Sequence, residues 1–284
     1  MFKKIVFFIL TCFFLTACTK VNQSSESFNL IVKNDSKLDL NAPVVIYGDT
    51  RNNYEVHKQV LGSFSKKSPS IIFNTGDLVY NGNQNELWPT FYNIIKPVIK
   101  TSRYYPVLGN HERDSINYFK LFNLPNNERW YQIDYNSISF FLLDSNSDLS
   151  PNSKQYLWLN SKLENNKSKY KVLIFHHPLF SVGRHGGKLD LRKNLAELIK
   201  KYKIQLVFNG HDHSYQRLLK DNTSYIVTGG GGAPLYSKDK NAVDNKFLKK
   251  YLKKYHYCLL SLKNDKILLE VYDINNFLID SLTI

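Results

Sequence analysis

The chain has 284 residues, enough for one large domain with a real core. An apolar fraction of 43% with 14% aromatics excludes a disordered chain. The net charge of +14 suits phosphate, nucleic acid or an anionic membrane. No basic arm interleaved with aromatics and no nucleic-acid motif accompanies it, so no nucleic-acid partner is expected.

Residues 1–17 read as a processing segment. Lys3 and Lys4 precede an apolar run over residues 5–15, too short to span a bilayer comfortably. Leu15-Thr16-Ala17-Cys18 resembles a bacterial lipobox. That resemblance implies an acylated Cys18 and an exported protein anchored to the membrane of the cell envelope. A plain secretory signal cleaved nearby, or an uncleaved anchor, stays open. Thr19, rather than Asp, after the cysteine points to an outer membrane where there is one. Beyond Cys12 and Cys18 only Cys258 remains, without a disulfide partner, and it reads as a small buried hydrophobe.

Residues 18–41 read as the lipidated cysteine and a polar tether, with a short edge strand over residues 28–32. Residues 42–284 read as one domain. Five apolar runs there predict buried strands, at residues 44–47, 70–74, 104–108, 171–175 and 204–208. Each ends in a polar loop rich in Gly, Asp, Asn or His. Helices are predicted over residues 84–95 (interrupted by Pro89), from Ser150-Pro151 with Tyr156, Leu159 and Leu163 inward, and over residues 190–202. After Gly232 the pattern is mostly strand, except residues 238–254. Seven lysines there read as a solvated helix face. Strands alternating with helices predict an α/β core with its site beyond the carboxyl ends of the strands.

Those loops hold six of the eight histidines, His111, His176, His177, His185, His211 and His213, together with Asp49, Asp77 and Asn110. Nitrogen and oxygen donors without a thiolate suit Mn, Fe or Zn. A glycine before each key residue is expected to let the chain turn sharply. His57 and His256 lie outside the loops and receive no role. His177 follows His176 on a strand and is expected to point away from it. Asp212, between His211 and His213, is likewise expected to point away. Glu112 is left between orienting His111 and facing solvent.

In order, Gly48-Asp49-Thr50, Gly76-Asp77-Leu78-Val79-Tyr80, Gly109-Asn110-His111-Glu112, Phe175-His176-His177-Pro178 and Gly210-His211-Asp212-His213 resemble the calcineurin-like metallophosphoesterase superfamily. Within it the chain is most similar to the purple acid phosphatase branch. The resemblance implies a four-layer α/β/β/α sandwich of two mixed sheets. It also implies two metal ions, Fe with Zn or Mn, and hydrolysis of a phosphoric ester by a bridging hydroxide. By the same resemblance Asp49 and His213 hold the first ion and Asp77 bridges. Asn110, His176 and His211 hold the second, and Tyr80 stands at the tyrosinate position. His111 and His185 sit by the phosphate as catalytic groups, His185 also binding substrate.

Arg51 departs from the pattern. Many superfamily members carry a ligand His there and purple acid phosphatases a Gly. Arginine is always charged and a poor ligand, so a substrate phosphate clamp and a structural ion pair are both open. A phosphomonoester is the first substrate reading. A phosphodiester or nucleotide pyrophosphate is the second, and a non-catalytic binding lipoprotein the third. The four glycines Gly229 to Gly232 lack the Lys-Ser/Thr of a Walker loop and read as a place where backbone passes close to the site.

Overall fold

The computed structural model describes residues 30–284, so the expected signal segment and Cys18 lie outside the described residues. Among the described residues, thirteen strands form two sheets. The first contains β1 (Val44–Tyr47), β2 (Ile71–Asn74), β3 (Arg103–Pro106), β11 (His256–Lys263), β12 (Lys266–Asp273) and β13 (Leu278–Thr283), in the order β13-β12-β11-β1-β2-β3. The second contains β4 (Tyr131–Tyr135), β5 (Ile138–Leu142), β6 (Tyr170–Ile174), β7 (Leu206–Asn209), β8 (Tyr215–Lys220), β9 (Thr223–Thr228) and β10 (Leu248–Leu252), in the order β10-β8-β9-β7-β6-β5-β4. Each sheet mixes parallel and antiparallel pairing: β1-β2-β3 form a parallel block at one side of the first, with antiparallel strands on the other, and β5-β6-β7-β9 form a parallel centre with antiparallel flanks in the second.

The layers follow from how continuous apolar runs divide between two faces. In β5, Ile138, Phe140 and Leu142 join the core shared with the first sheet, while Phe141 faces the other way. β6 and β7 repeat this: Val172, Ile174, Leu206 and Phe208 point inward, and Leu173 and Val207 outward. Phe73 and Phe140, from different sheets, meet with ring centroids 4.6 Å apart. Outside the second sheet lie α4 (Lys154–Glu164) and α5 (Leu189–Lys201), which bury Leu159, Leu163, Leu191, Leu195 and Leu198 against it. Outside the first lie α1 (Tyr54–Ser65) and α2 (Leu87–Ile95), whose Phe64 and Phe91 pack on Tyr47 and Tyr104. The result is the expected four-layer sandwich. Each fully buried aliphatic or aromatic side chain contributes about 1.5–3 kcal/mol relative to exposure.

Four local expectations change. Pro89 does not interrupt α2: it is the third residue, where a missing N–H removes no intrahelical bond. The helix expected from Ser150-Pro151 starts later, at Lys154, because Ser153 caps it by accepting from the Tyr156 N–H at 3.3 Å. The basic stretch is not a helix face: a short 3-10 turn (Val243–Phe247) leads into β10. The tether is not free over its whole length. Val32 is fully buried, its N–H donating to the Leu121 carbonyl at 2.7 Å. Asn34 Oδ1 accepts from the Tyr104 N–H at 2.7 Å, and the Asp39 N–H donates to Ser70 Oγ at 2.9 Å. The expected edge strand reduces to one bridge, Val32 to Phe122; residues 28–29 are outside the described residues.

A polar clasp ties edge strand β13 of the first sheet to β8, next to the edge of the second. Asp280 of β13 accepts from Arg217 Nε at 2.7 Å and from the Tyr215 hydroxyl at 2.8 Å, both on β8. Burial works against its charge, but those bonds hold the Asp280 carboxyl below its ordinary range. Asp280→Ala leaves a buried hydroxyl and a half-covered guanidinium without their acceptor. It should lower stability by about 1–3 kcal/mol in urea titration at pH 7. Because the folded carboxyl is the more acidic one, this stability is present above the unfolded value of about 4 and is lost as pH falls through the folded one. The wild-type and variant stabilities should therefore converge in acid.

Candidate metal centre

Asp49, Asp77, Asn110, His176, His211 and His213 all stand at or just past the carboxyl ends of β1, β2, β3, β6 and β7. Three of them, Asp49, Asp77 and His211, carry positive φ of 57°, 58° and 70°. Non-glycine residues reach this region at a strain of about 1–3 kcal/mol each, which surrounding bonds must hold. They do. The Asp49 N–H donates to the Gly76 carbonyl at 2.9 Å, the Thr50 N–H to the Asp77 carbonyl at 3.0 Å, and the His211 N–H to Asp49 Oδ1 at 3.0 Å. The turning thus falls largely on the ligand residues themselves. Their neighbouring glycines mainly allow close approach. A Cβ on Gly76, itself at φ 95°, would lie 2.7 Å from the Gly109 nitrogen, and one on Gly109 2.4 Å from the Asp77 nitrogen.

Glu112, left open above, neither orients His111 by a side-chain bond nor faces solvent. It is fully buried beneath the cluster. Its Oε2 accepts from the Gly109 N–H at 2.6 Å and the Asp77 N–H at 3.0 Å; Oε1 accepts from the Leu78 N–H at 2.8 Å. One carboxyl therefore binds the second and third ligand loops together. Burial, then the nearby Asp77 carboxylate, raises its pKa, while the three donors pull the other way.

Two donor groups converge above this floor. In one, His176 Nε2 lies 3.1 Å from Asn110 Oδ1, 3.2 Å from His211 Nδ1 and 3.3 Å from Asp77 Oδ1. His176 Nδ1 donates to the Thr75 carbonyl at 2.8 Å, which places its proton there and turns the Nε2 lone pair toward the other acceptors. Burial, then His176 and His185, pushes the His211 imidazole down to about 3, so His211 is neutral near pH 7. One imidazole proton can satisfy at most one of these close contacts, and the nitrogen and oxygen donor set that remains fits a metal ion. The other group is Asp49, Asp77 and His213. His213 Nδ1 donates to the Pro234 carbonyl at 2.7 Å, again freeing Nε2, which lies 3.5 Å from Asp49 Oδ1. Asp77 touches both groups: burial favours its neutral form, but His176, His111 and Arg51 outweigh that and keep it ionised below the ordinary range.

The remaining expected residues surround this centre. His111 Nδ1 donates to the Tyr80 carbonyl, leaving Nε2 directed inward, 3.8 Å from Asp77 Oδ2. Tyr80 is 53% exposed, its ring 5.7 Å from the His111 ring. His185 packs 4.3 Å from His211, ring to ring. His177 lies against the same rings, its Nδ1 bonded to Ser145 Oγ at 2.8 Å, and its three-way grouping with His176 and His211 makes it a nearer neighbour than a side chain pointing away. Arg51 points into the cluster, its Nε 3.2 Å from Asp77 Oδ2. The glycine run passes close, as expected: the Gly231 N–H donates to the Gly48 carbonyl at 2.8 Å and the Ala233 N–H to the Asp49 carbonyl at 2.8 Å. His57 and His256 are buried in structural bonds to Tyr47 and Thr228.

Two contributors escaped the sequence reading. Asp212 does not simply point away. Its Oδ1 accepts from the His185 N–H at 3.0 Å and from Nδ1 at 3.1 Å, fixing the His185 ring. Tyr236 stacks on His213 at 4.1 Å and 20°. Asp212 had a signal, an acid between two donors of one loop; Tyr236 had none.

A model of calcineurin-like phosphoesterases matches residues 42–215. The chain belongs to that family. Among curated relatives of this phosphoesterase chain, probable purple acid phosphatase 20 of Arabidopsis thaliana is 26% identical over 208 residues, covering 63% of this chain and 49% of its own. Purple acid phosphatase 17 of the same plant is 24% identical over 284 residues, covering 86% and 83%. The chain thus spans about half the length of the first and most of the second. A solved purple acid phosphatase from yellow lupin (Lupinus luteus) seeds superposes with a TM-score of 0.77 at 21% identity, over 85% of this chain and 53% of that one. The anchor in the inner membrane complex of Plasmodium superposes at 0.66 and 18%, over 86% and 88%. At these identities the structural matches establish the fold.

Proposed function

We propose that this protein is a metal-dependent phosphoric ester hydrolase acting first on phosphomonoesters. The observation that carries the reading is the convergence of Asp77 with both donor groups, each containing a histidine, His176 or His213, whose second nitrogen is tied to a backbone carbonyl. Asp49, Asp77 and His213 would hold one ion, with Tyr80 as the expected tyrosinate. Asp77, Asn110, His176 and His211 would hold the other. Iron with zinc or manganese is the expected pairing. Bound there, such ions clamp and polarise a phosphoryl group and lower the pKa of a coordinated water.

The chain's own groups supply the rest. His111 carries its proton on Nδ1 when neutral and presents Nε2 to the cleft. In its cationic form it can stabilise a phosphoryl oxygen or protonate the leaving oxygen. His185 stands on the His211 side with its Nδ1 held by Asp212, so its Nε2 is aimed rather than free to rotate. Two histidines flanking the centre suit the extra charge of a monoester dianion better than that of a diester.

Relatives bear names of both kinds, including probable inactive purple acid phosphatase 24 of Arabidopsis thaliana. The complete donor set in this chain favours catalysis over a binding role. Export, with an acyl anchor at Cys18 and no nucleic-acid partner, completes the reading.

The test is turnover of an aryl phosphomonoester and the matching diester by the purified full chain, across pH, with the visible spectrum. Monoester preference and a visible band lost in Tyr80→Phe support the reading. Diester preference without a band removes the monoester assignment and the tyrosinate. Labelling with a radioactive fatty acid that persists in Cys18→Ser rules out the anchor.

A further inference from the structure

Arg51 sits where the family carries a neutral glycine or a ligand histidine, and its guanidinium reaches the atoms of the first donor group. Nε donates to Asp77 Oδ2 at 3.2 Å, and Nη2 lies 3.3 Å from His213 Nε2. Because His213 Nδ1 spends its proton on the Pro234 carbonyl, Nε2 is the lone pair that receives the Arg51 N–H. The third nitrogen, Nη1, donates to Asn52 Oδ1 at 2.7 Å, and Asn52 stands at φ 74° beside it. The side chain is only 11% exposed, so this is a built arrangement rather than a surface arginine that happens to lean inward.

A metal ion at this position needs the Asp77 and His213 donors at about 2.0–2.2 Å. Those donors are engaged by a guanidinium at hydrogen-bond distance, and a cation cannot lie between them while Arg51 stays. The second donor group, Asn110, His176 and His211 with Asp77 Oδ1, has no such competitor among its contacts. The two positions are therefore unequal.

We propose that Arg51 is an internal cation that competes with the first metal ion, so that the centre holds one ion tightly and admits the second only when Arg51 swings out. The inference rests on the two-position reading of the site. In the one-ion state the guanidinium supplies the positive charge that Asp49 and Asp77 require. In the two-ion state it is released toward the cleft mouth, where a phosphate is the natural partner for its planar fork. Binding of a phosphate and of the second ion should therefore assist each other.

The test is a zinc titration of the chelator-treated full chain by calorimetry, with bound metal counted after gel filtration, for wild type, Arg51→Ala and Arg51→Gln. Gln keeps a donor at the position of Arg51 Nε and removes the charge. The expected result is one tight equivalent per chain in the wild type and a second weaker one. Both variants should bind that second equivalent at least tenfold more tightly, which is about 1.4 kcal/mol. Inorganic phosphate should tighten it in the wild type and less so in the variants. The metal-free variants should melt below the metal-free wild type, and the zinc-loaded proteins should melt together. Identical two-equivalent isotherms in all three proteins overturn the competition and leave the metal reading intact. A melting deficit that persists unchanged after zinc loading also overturns it, since Arg51 then keeps its bonds in both states. Failure of all three to bind zinc overturns the competition together with the reading beneath it.

Discussion

Asp77→Ala is expected to abolish turnover while the protein remains folded. Asp77 offers carboxylate oxygens to both donor groups: it groups with Asp49 and His213, its Oδ1 faces His176 Nε2 at 3.3 Å, and its Oδ2 faces Arg51 Nε at 3.2 Å and His111 Nε2 at 3.8 Å. Its removal loosens both positions at once and leaves Arg51 without its buried partner. Metal polarisation supplies several kcal/mol of transition-state stabilisation, on the order of a thousandfold or more in kcat. Asp77→Asn keeps the shape and the acceptor for the His111 N–H, and should lose nearly as much activity with a smaller change in melting temperature. Single-turnover assays of both variants against wild type, with circular dichroism to verify the fold, decide it. An Asp77→Asn variant retaining a tenth of wild-type kcat would remove Asp77 from the centre.

Glu112→Ala is expected to be the most destabilising single change at the site, although the Glu112 carboxyl meets the ligand loops only through their backbone N–H groups. Truncation leaves the Gly109, Asp77 and Leu78 N–H groups buried without an acceptor. Each such group costs about 1–3 kcal/mol, so a loss on the order of 3–9 kcal/mol follows, with a melting shift on the order of 10 °C or more. Because the same bonds hold Asp77 at φ 58°, the variant should also bind metal poorly at temperatures where it is folded. Thermal melting and a metal count on the folded fraction measure both. A variant that melts as wild type does would show that these loops hold themselves.

Much of the fold was legible because buried parallel strands need uninterrupted apolar runs. β1, β2, β3, β6 and β7 are such runs, found within two residues at each end, and each ends in a ligand loop. The helix α1 escaped notice: Val60, Leu61 and Phe64 share a face, but Gly62 and the polar residues between them blur the period. The β4-β5 hairpin escaped as well. β5 is buried along its whole length and reads as a plain apolar segment, while β4 carries an exposed Asp134 between its buried tyrosines. The lysines of residues 238–254 misled because charge density says where water is, not which backbone lies beneath it.

At the site, donor identities were legible because glycine-linked acids and histidines recur at strand ends. Their support was not. Glu112 acts across a distance of 34 or 35 residues on Asp77 and Leu78, and Asp212 acts on His185 across 27. Such pairings exist only once the loops have been folded onto one edge of the sandwich. The inward pose of Arg51 is of the same kind, since Asp77 and His213 reach it from 26 and 162 residues away.

The central claim is that a metal centre in this cluster hydrolyses phosphoric esters. The most direct measurement is phosphate release from an aryl phosphomonoester by the full chain after chelation, and again after adding back manganese, zinc or iron, with bound metal counted in the same samples. The account predicts no release from the chelated protein and recovery in step with bound metal. Release that survives chelation, or a protein that binds metal at this centre and releases no phosphate from monoester or diester, would contradict it.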